Sequence, residues 1–413
     1  MNKVVIYNIG MLVTPLGSSA KAGALQSDVR QLKNAYVVAQ DGVFTHSGTG
    51  DPPGKLLHGA QVFDACGRLA TPGLVDAHTH LVFGGWRAHE LQQKLVGVPY
   101  LDILQSGGGI LDTVRATRAA SQQELVEKTQ TALQGMLSQG TTTAEAKSGY
   151  GLDLENELKQ LLTVQQLQKL QPISLVSTLM AAHALPEEYK QDRQGYMKLM
   201  IDEIIPVVAK EGLAEFCDVF CESGVFTVAE SKAILQAAHA HGLRAKIHAD
   251  EIDAIGGSEL AGDLGAISAE HLIAMRDSGI RSLKEGGTIA CLLPATSFYL
   301  DKPYARARDL IAAGVPVAVA SDFNPGSCPS YSLQVCINLA SWKYKMTPEE
   351  ILIAVTLNAA AAIGRADRTG SIETGKQADL LLWDADSLEF LCYRFGSNLV
   401  HTVFKNGIQV VRN

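Results

Sequence analysis

Two histidines separated by a single residue follow an apolar run early in the chain. The run Leu-Val-Asp-Ala-His-Thr-His at 74–80 leaves a Pro-Gly turn and ends in His78 and His80. Side chains two residues apart on a β-strand point to the same face, so both imidazoles would lie side by side at the strand end. Two such imidazoles can hold one metal ion. The alternative is a pair of unrelated polar residues where a strand meets a loop.

Four more polar residues end predicted strands farther along the chain: His183, His248, His271 and Asp322. Strands of a parallel barrel are buried on both faces and are almost entirely apolar, so polar residues at their ends need an explanation. Active sites of such barrels lie at the C-terminal ends of the strands. Five histidines and one aspartate at one mouth therefore indicate a metal centre.

These strand ends require an alternating arrangement of strands and helices. We predict eight strands with helices between them, at 74–80, 141–147, 173–182, 215–222, 244–250, 266–271, 288–293 and 315–322. Alternation predicts a parallel sheet, and eight units predict a closed (β/α)8 TIM-like barrel. A doubly wound open sheet is the alternative. The first strand is not followed by Gly-x-Gly-x-x-Gly, which argues against the nucleotide-binding version of that sheet.

Local signals locate several helices and turns. Ser121 with Glu124 forms a capping box, and a second capped helix begins at 347–350 with proline in its first position. The helix after the second strand is predicted to bury one apolar stripe: Leu154, Leu158, Leu161 and Leu162.

The two ends of the chain show a different pattern from the middle. Short β-rich runs are joined by turn signals at Asp41-Gly42 and Asn406-Gly407. We therefore predict a small β-sandwich domain built from both termini, residues 1–70 and 366–413. The barrel would occupy residues 71–365.

Composition excludes several classes of function. The chain has 413 residues, 46% of them hydrophobic, which is enough for one large globular domain and a smaller one. Its net charge of −8 argues against nucleic acid and acidic membranes as partners. The first ten residues lack a secretory signal pattern, and the seven irregularly spaced cysteines are expected to be reduced thiols. We expect a cytoplasmic protein.

Motifs across the whole predicted barrel resemble a known family. The His-x-His of the first strand, with His248, His271 and Asp322, is similar to the amidohydrolase superfamily of metal-dependent hydrolases. Within that superfamily the chain resembles the imidazolonepropionase family of histidine breakdown. The matching segments are 76–80, 83–87, 107–110, 147–151, 248–251, 269–271 and 321–326.

The resemblance implies a reaction and a metal. The reaction is hydrolysis of the cyclic amide C–N bond of 4-imidazolone-5-propanoate to N-formimidoyl-L-glutamate. The implied ligands of one Zn²⁺ or Fe ion are His78, His80, His248 and Asp322. Asp322 would also take a proton from the attacking water and deliver it to the leaving nitrogen.

Other residues receive roles from the same resemblance. His271 would polarise the substrate carbonyl, and Glu251 would contact a ring N–H or the water. Arg87 would clamp the propionate of the substrate, since a guanidinium binds a carboxylate bidentately. The complete set of implied substrate contacts is Arg87, Tyr150, His183, Glu251, Asn324, Gly326, Ser327 and Tyr100.

The number of metal ions depends on two further residues. Some relatives hold two ions that are bridged by a carboxylated lysine or a glutamate on the fourth strand. Here the fourth strand ends in Glu222, and Lys147 ends the second strand. We expect a single ion and an electrostatic or structural role for Lys147.

Two rival functions remain at this point. A deaminase of a related ring substrate would share the metal residues, differ in the loops and release ammonia. A catalytically silent binding or assembly protein would be expected to have lost metal ligands, and this chain has all four. A small-molecule substrate is expected in either enzymatic case, and a homodimer is plausible.

Overall fold

The computed structural model describes residues 3–98 and 108–413. Its strands are β1 (Lys3–Thr14), β2 (Arg30–Gln40), β3 (Val43–Thr49), β4 (Gln61–Asp64), β5 (Leu69–Pro72), β6 (Leu74–Asp76), β7 (Thr141–Lys147), β8 (Ser174–Ala182), β9 (Phe216–Cys221), β10 (Arg244–Ala249), β11 (Ser268–His271), β12 (Ile289–Leu292), β13 (Val317–Val319), β14 (Leu380–Trp383), β15 (Val400–Lys405) and β16 (Ile408–Arg412).

The α-helices within the same ranges are α1 (Gly54–Leu57), α2 (Leu91–Leu95), α3 (Ile110–Ala119), α4 (Gln122–Ser138), α5 (Leu154–Leu170), α6 (Arg193–Leu199), α7 (Ile205–Lys210), α8 (Val228–Ala240), α9 (Gly257–Asp263), α10 (Asp277–Gly286), α11 (Pro294–Tyr299), α12 (Ala307–Ala313), α13 (Leu333–Tyr344), α14 (Pro348–Ala354), α15 (Leu357–Ala362) and α16 (Leu388–Tyr393). In the part of the chain that the structure describes, none of these helices is long and apolar enough to cross a membrane.

The middle of the chain forms a parallel barrel. Strands β6 to β13 lie in sequential order, each parallel to the next. The barrel closes just beyond β6 and β13, where the His80 amide donates to the Phe323 carbonyl at 2.9 Å and the Asp322 amide donates to the His78 carbonyl at 3.0 Å. The prediction of a (β/α)8 barrel is confirmed. The alternative prediction of an open sheet is wrong, because these hydrogen bonds join the segments that follow the first and last strands.

The small domain is one mixed sheet made from both termini. Its strand order is β16-β15-β14-β5-β1-β2-β3, with β4 also paired to β1. The two ends of the chain meet where β5 pairs antiparallel with β14 and where Trp383 Nε1 donates to Thr71 Oγ1 at 2.8 Å. Asp41 and Asn406 adopt positive φ in the two predicted hairpin turns. The domain boundaries at 70/71 and 365/366 stay a prediction.

Helix α5 corrects one prediction about burial. The predicted capping box at Ser121 and the predicted capped helix start at Thr347 are both present, but Leu162 is exposed rather than part of the buried stripe. Glu157 and Gln160 are fully buried in its place. The reason is that the backbone N–H groups of the loop after β7 need acceptors, and these two side chains provide them.

Candidate active site

Four side chains converge at the carboxyl ends of the barrel strands. His78 and His80 follow β6, His248 lies in β10, and Asp322 follows β13. The Nε2 atoms of His78 and His80 lie 3.4 and 3.6 Å from Asp322 Oδ1. The Nε2 atoms of His248 and His80 are 3.4 Å apart. All four residues are at most 3% exposed, so their polar atoms face one another in a space closed to solvent.

This donor set fits a metal ion. His78 Nε2 is buried and has no hydrogen-bond partner among the residues that the structure describes. Burial lowers the pKa values of His78 and His80 well below the usual value, so both imidazoles are neutral and offer lone pairs. A divalent cation among the facing nitrogens and the carboxylate oxygen would supply a partner for His78 Nε2.

Carboxylates behind the histidines determine which ring nitrogen faces the gap. His78 Nδ1 lies 2.8 Å from Glu270 Oε2, and His248 Nδ1 lies 3.1 Å from Asp218 Oδ1. Each contact keeps a proton on Nδ1 and leaves Nε2 as the ligand atom. Thr296 Oγ1 donates to Asp322 Oδ2 at 2.6 Å, which leaves Oδ1 turned toward the histidines.

These carboxylates belong to a charged network inside the barrel. Lys147 Nζ lies 2.7 Å from Asp218 Oδ2 and 2.9 Å from Glu145 Oε2. Lys246 Nζ lies 3.0 Å from Glu145 Oε1 and 3.4 Å from Glu270 Oε1. All five side chains are fully buried. Glu145 therefore joins the two lysines, and through them the carboxylates that orient His78 and His248.

The charge state of Lys147 follows from this network. Burial alone would lower its pKa, but the charges of Asp218 and Glu145 outweigh burial and hold the pKa above its usual value. A permanently charged ammonium cannot react with carbon dioxide to form a carbamate. The contacts of Lys147 thus favour the electrostatic role expected from the sequence.

Two of the site residues lie on strained backbone. His271 has a φ of 69° and Asp322 a φ of 58°, in the left-handed region that residues other than glycine rarely adopt. Such strain costs about 1 kcal/mol or more per residue and persists only where the surroundings impose it. Here the imposed conformation turns both side chains into the barrel mouth.

Glu251 and His271 lie together beside the four convergent residues. Glu251 Oε2 is 3.6 Å from His271 Nε2. Burial, followed by the charges of Asp322 and Glu222, raises the pKa of Glu251 to about 8. Glu222 accepts hydrogen bonds from the amides of Ile252 at 2.8 Å and Asp253 at 3.1 Å. Glu222 therefore holds the loop that carries Glu251, and its oxygens are engaged there.

Arg87 lies against the loop after β13. A Cβ added to Gly326 would overlap the Arg87 guanidinium, so the arginine lies directly on this glycine. Arg87 Nε is buried and lies 3.5 Å from Glu90 Oε2, and within residues 3–98 and 108–413 it has no hydrogen-bond partner. Asn324 Oδ1 accepts from the amides of Gly326 at 2.9 Å and Ser327 at 2.7 Å, which shapes this loop.

Tyr150 and His183 pack against the convergent histidines. The His183 ring stacks on His80 with centroids 4.8 Å apart, and Tyr150 is 5.3 Å from His183. His183 Nδ1 lies 3.1 Å from the Gly149 carbonyl, which makes Nδ1 the donor and leaves Nε2 as an acceptor. Burial, helped by His248, lowers the pKa of His183 to about 3, so the ring is neutral. Tyr100 lies outside the described residues.

The structure brings together every other residue that the sequence singled out, and it adds partners that the sequence analysis missed. The missed residues contact the convergent histidines, Asp322, the neighbouring loops or one another, and they are Glu145, Glu157, Gln160, Asp218, Lys246, Glu270 and Thr296. One signal could have found four of them, Glu145, Asp218, Lys246 and Glu270, since a charged residue inside a strand predicted to be buried on both faces is unusual.

Comparison with known proteins agrees with this arrangement. Residues 69–410 match the amidohydrolase family. The chain is 50% identical over 405 residues to an imidazolonepropionase of Fusobacterium nucleatum, with 98% of each chain covered. It is 48% identical to an imidazolonepropionase of Alkaliphilus metalliredigens, with 100% of this chain and 98% of the relative covered. The solved structure of E. coli guanine deaminase has a TM-score of 0.76 at 13% identity over 100% of both chains, which shows a shared fold.

Proposed function

Because this chain belongs to the imidazolonepropionase family of amidohydrolases, we propose that His78, His80, His248 and Asp322 hold the metal ion of its active site. The reaction of the family is hydrolysis of the cyclic amide of 4-imidazolone-5-propanoate to N-formimidoyl-L-glutamate, and the chain is a hydrolase of this type. The observation that carries the residue assignment is the convergence of these buried side chains with Arg87 at one barrel mouth.

We propose one Zn²⁺ or Fe ion per chain. Three imidazoles and one carboxylate suit either metal, and water would be a further ligand. A second ion would need a bridging ligand from Lys147 or Glu222. Lys147 is engaged in ion pairs with Glu145 and Asp218, and Glu222 accepts bonds from the loop after β10.

When bound, the ion supplies Lewis acidity, which makes water a competent nucleophile near neutral pH. The Asp322 carboxylate takes the proton of the attacking water and later delivers it to the leaving ring nitrogen. Burial raises the pKa of Asp322 to about 6, which brings this carboxylate close to the range where a base works well near neutral pH. His271 polarises the scissile carbonyl, and Glu251, beside it, contacts the ring N–H or the water.

Arg87 binds the propionate group, and two aromatic residues position the ring. The guanidinium packs directly on Gly326, in the loop that also includes Asn324 and Ser327. Neutral His183 accepts a hydrogen bond from the substrate at Nε2 and, being uncharged, does not repel the Arg87 guanidinium. Tyr150 packs against both His183 and His80. We propose Tyr100, which lies outside the described residues, as a further substrate-binding residue.

We also propose the cellular setting of the enzyme. Its partner is a small-molecule substrate, and neither nucleic acid nor membrane is expected to bind a chain of net charge −8. Six of its seven cysteines are buried free thiols, which suits the reducing cytoplasm. A homodimer is the proposed assembly, supported by the exposed aromatic side chains of Trp342 and Tyr393 on the packed helices α13 and α16.

The test combines activity with metal analysis on one purified sample. We expect loss of the absorbance of freshly generated imidazolone propionate, together with about one metal ion per chain. Release of ammonia from this or a related ring would instead indicate a deaminase. Metal bound without turnover of imidazolone propionate would refute the proposed substrate. Absence of both metal and turnover would favour the silent binding protein.

A further inference from the structure

The segment that carries Arg87, residues 83–87, is held on one side by two helices. We call it the clamp loop. Gly84 packs so closely on α3 that a Cβ at this position would overlap the backbone of Ala116. The Gly84 amide donates to Thr117 Oγ1 at 2.9 Å. Lys128 reaches across from α4, and its Nζ donates to the Gly84 carbonyl at 2.7 Å. The backbone of the clamp loop is thus fixed just before Arg87.

Lys128 also contacts the two aromatic rings of the clamp loop. Its Nζ lies 4.1 Å from the centre of the Phe83 ring and 5.1 Å from that of Trp86. An ammonium over aromatic faces is attracted by their quadrupoles, most strongly where water is excluded. Lys128 is half-buried, and this burial lowers the pKa of its ammonium to about 8. Below that pH the group remains charged.

The opposite side of the clamp loop packs on the segment after Asp322. The rings of Phe83 and Trp86 lie 5.8 and 5.9 Å from Phe323, each edge to face. The Arg87 amide donates to the Pro325 carbonyl at 3.4 Å. The rings beneath Lys128 therefore connect it to the surface on which the guanidinium lies.

We propose that Lys128 is a positioning residue for Arg87, and that it sets the affinity of the enzyme for the carboxylate of its substrate without acting in the chemical step. This inference rests on the proposed clamp role of Arg87. Removal of the ammonium frees the Gly84 carbonyl and the two rings, so the guanidinium loses its orientation. Asp322 and the histidines keep their own contacts, and the rate of bond cleavage is preserved.

The experiment measures kcat and KM for imidazolone propionate in the metal-loaded full chain. Lys128→Met is expected to raise KM about tenfold and to leave kcat within about twofold. Lys128→Arg is expected to restore KM to within about threefold, because arginine keeps the charge, the donor and the stacking on aromatic rings. Metal content is expected to be equal in all variants.

Lys159→Met is the matched control. Lys159 also donates to backbone carbonyls at a helix end, those of Arg118 and Ala120, each at 2.9 Å. A general loss of helix packing would raise KM in both methionine variants, whereas the proposal predicts no change in KM for Lys159→Met. Equal increases in KM would overturn the proposal.

A double-mutant cycle with Arg87→Met separates this inference from the proposed function. With the clamp removed, Lys128→Met is expected to cause no further change in KM. If Arg87→Met raises KM and Lys128→Met does not, Lys128 has no positioning role and the clamp stands. If Arg87→Met itself leaves KM unchanged, the clamp is wrong. A fall in kcat with unchanged KM in Lys128→Met would also overturn the inference.

Discussion

A single methyl group at position 326 tests the clamp most directly. The φ of Gly326 lies outside the left-handed region, so alanine is compatible with the backbone. The amide of residue 326 would still donate to Asn324 Oδ1, as it does at 2.9 Å in the present structure. The new Cβ, however, would occupy the space of the Arg87 guanidinium. Gly326→Ala therefore displaces the guanidinium while it leaves the loop and the metal-site histidines in place.

The expected loss follows from the contacts that a carboxylate makes with a guanidinium. Each charge-assisted hydrogen bond contributes about 1.5–3 kcal/mol, so a displaced bidentate pair costs about 3–6 kcal/mol. At about 1.4 kcal/mol per tenfold, this is about a hundredfold to ten-thousandfold lower kcat/KM. Most of the loss should appear in KM, because the propionate is remote from the bond that breaks.

The assay follows imidazolone propionate absorbance with metal content measured on the same samples. Arg87→Met is expected to lose a similar amount. In the Arg87→Met background, Gly326→Ala should change kcat/KM by less than about threefold, since the displaced group is already absent. Additive losses in the double variant would refute the reasoning, as would an unchanged KM in Gly326→Ala alone.

Three other predictions concern the metal and the barrel. Asp322→Asn should abolish measurable turnover and lower the metal content after dialysis, because a ligand and the proposed base are both lost; an active variant would contradict the mechanism. Glu145→Gln should weaken metal binding about tenfold to a hundredfold, measured by competition with a chelator, since the lysines behind Asp218 and Glu270 lose their shared carboxylate; unchanged affinity would contradict this coupling. Burial raises the pKa of Asp76 from 3.8 to about 7, so its folded form binds a proton more tightly than the unfolded chain. Its contribution to stability is therefore full below about pH 4 and lost as the pH rises to about 7. Asp76→Asn should reduce the pH dependence of urea unfolding of the metal-free protein over that window, and an unreduced slope would contradict the assignment.

Much of the site was predictable from the sequence because its signals are local. A strand has a period of two residues, so His78 and His80 must share a face. Parallel strands end at one mouth, so His248, His271 and Asp322 must approach them once the barrel is inferred. Capping boxes and hairpin turns depend on neighbouring residues in the same way, and those predicted at Ser121, Thr347 and Asn406-Gly407 are present.

The tertiary structure alone decided how these residues are held. His78 and Glu270 are 192 residues apart in the sequence, and His248 contacts Asp218 from the neighbouring strand. The sequence shows charged residues inside buried strands, but only closure of the barrel determines which lysine contacts which carboxylate. Burial of Glu157 in place of Leu162 is also decided by the tertiary structure. Glu157 accepts a hydrogen bond from the loop after β7, and hydrophobic periodicity does not predict such a contact. The sequence pattern indicates which side chains each strand or helix places on a face. Which of these side chains contact one another depends on distances that exist only in the folded chain.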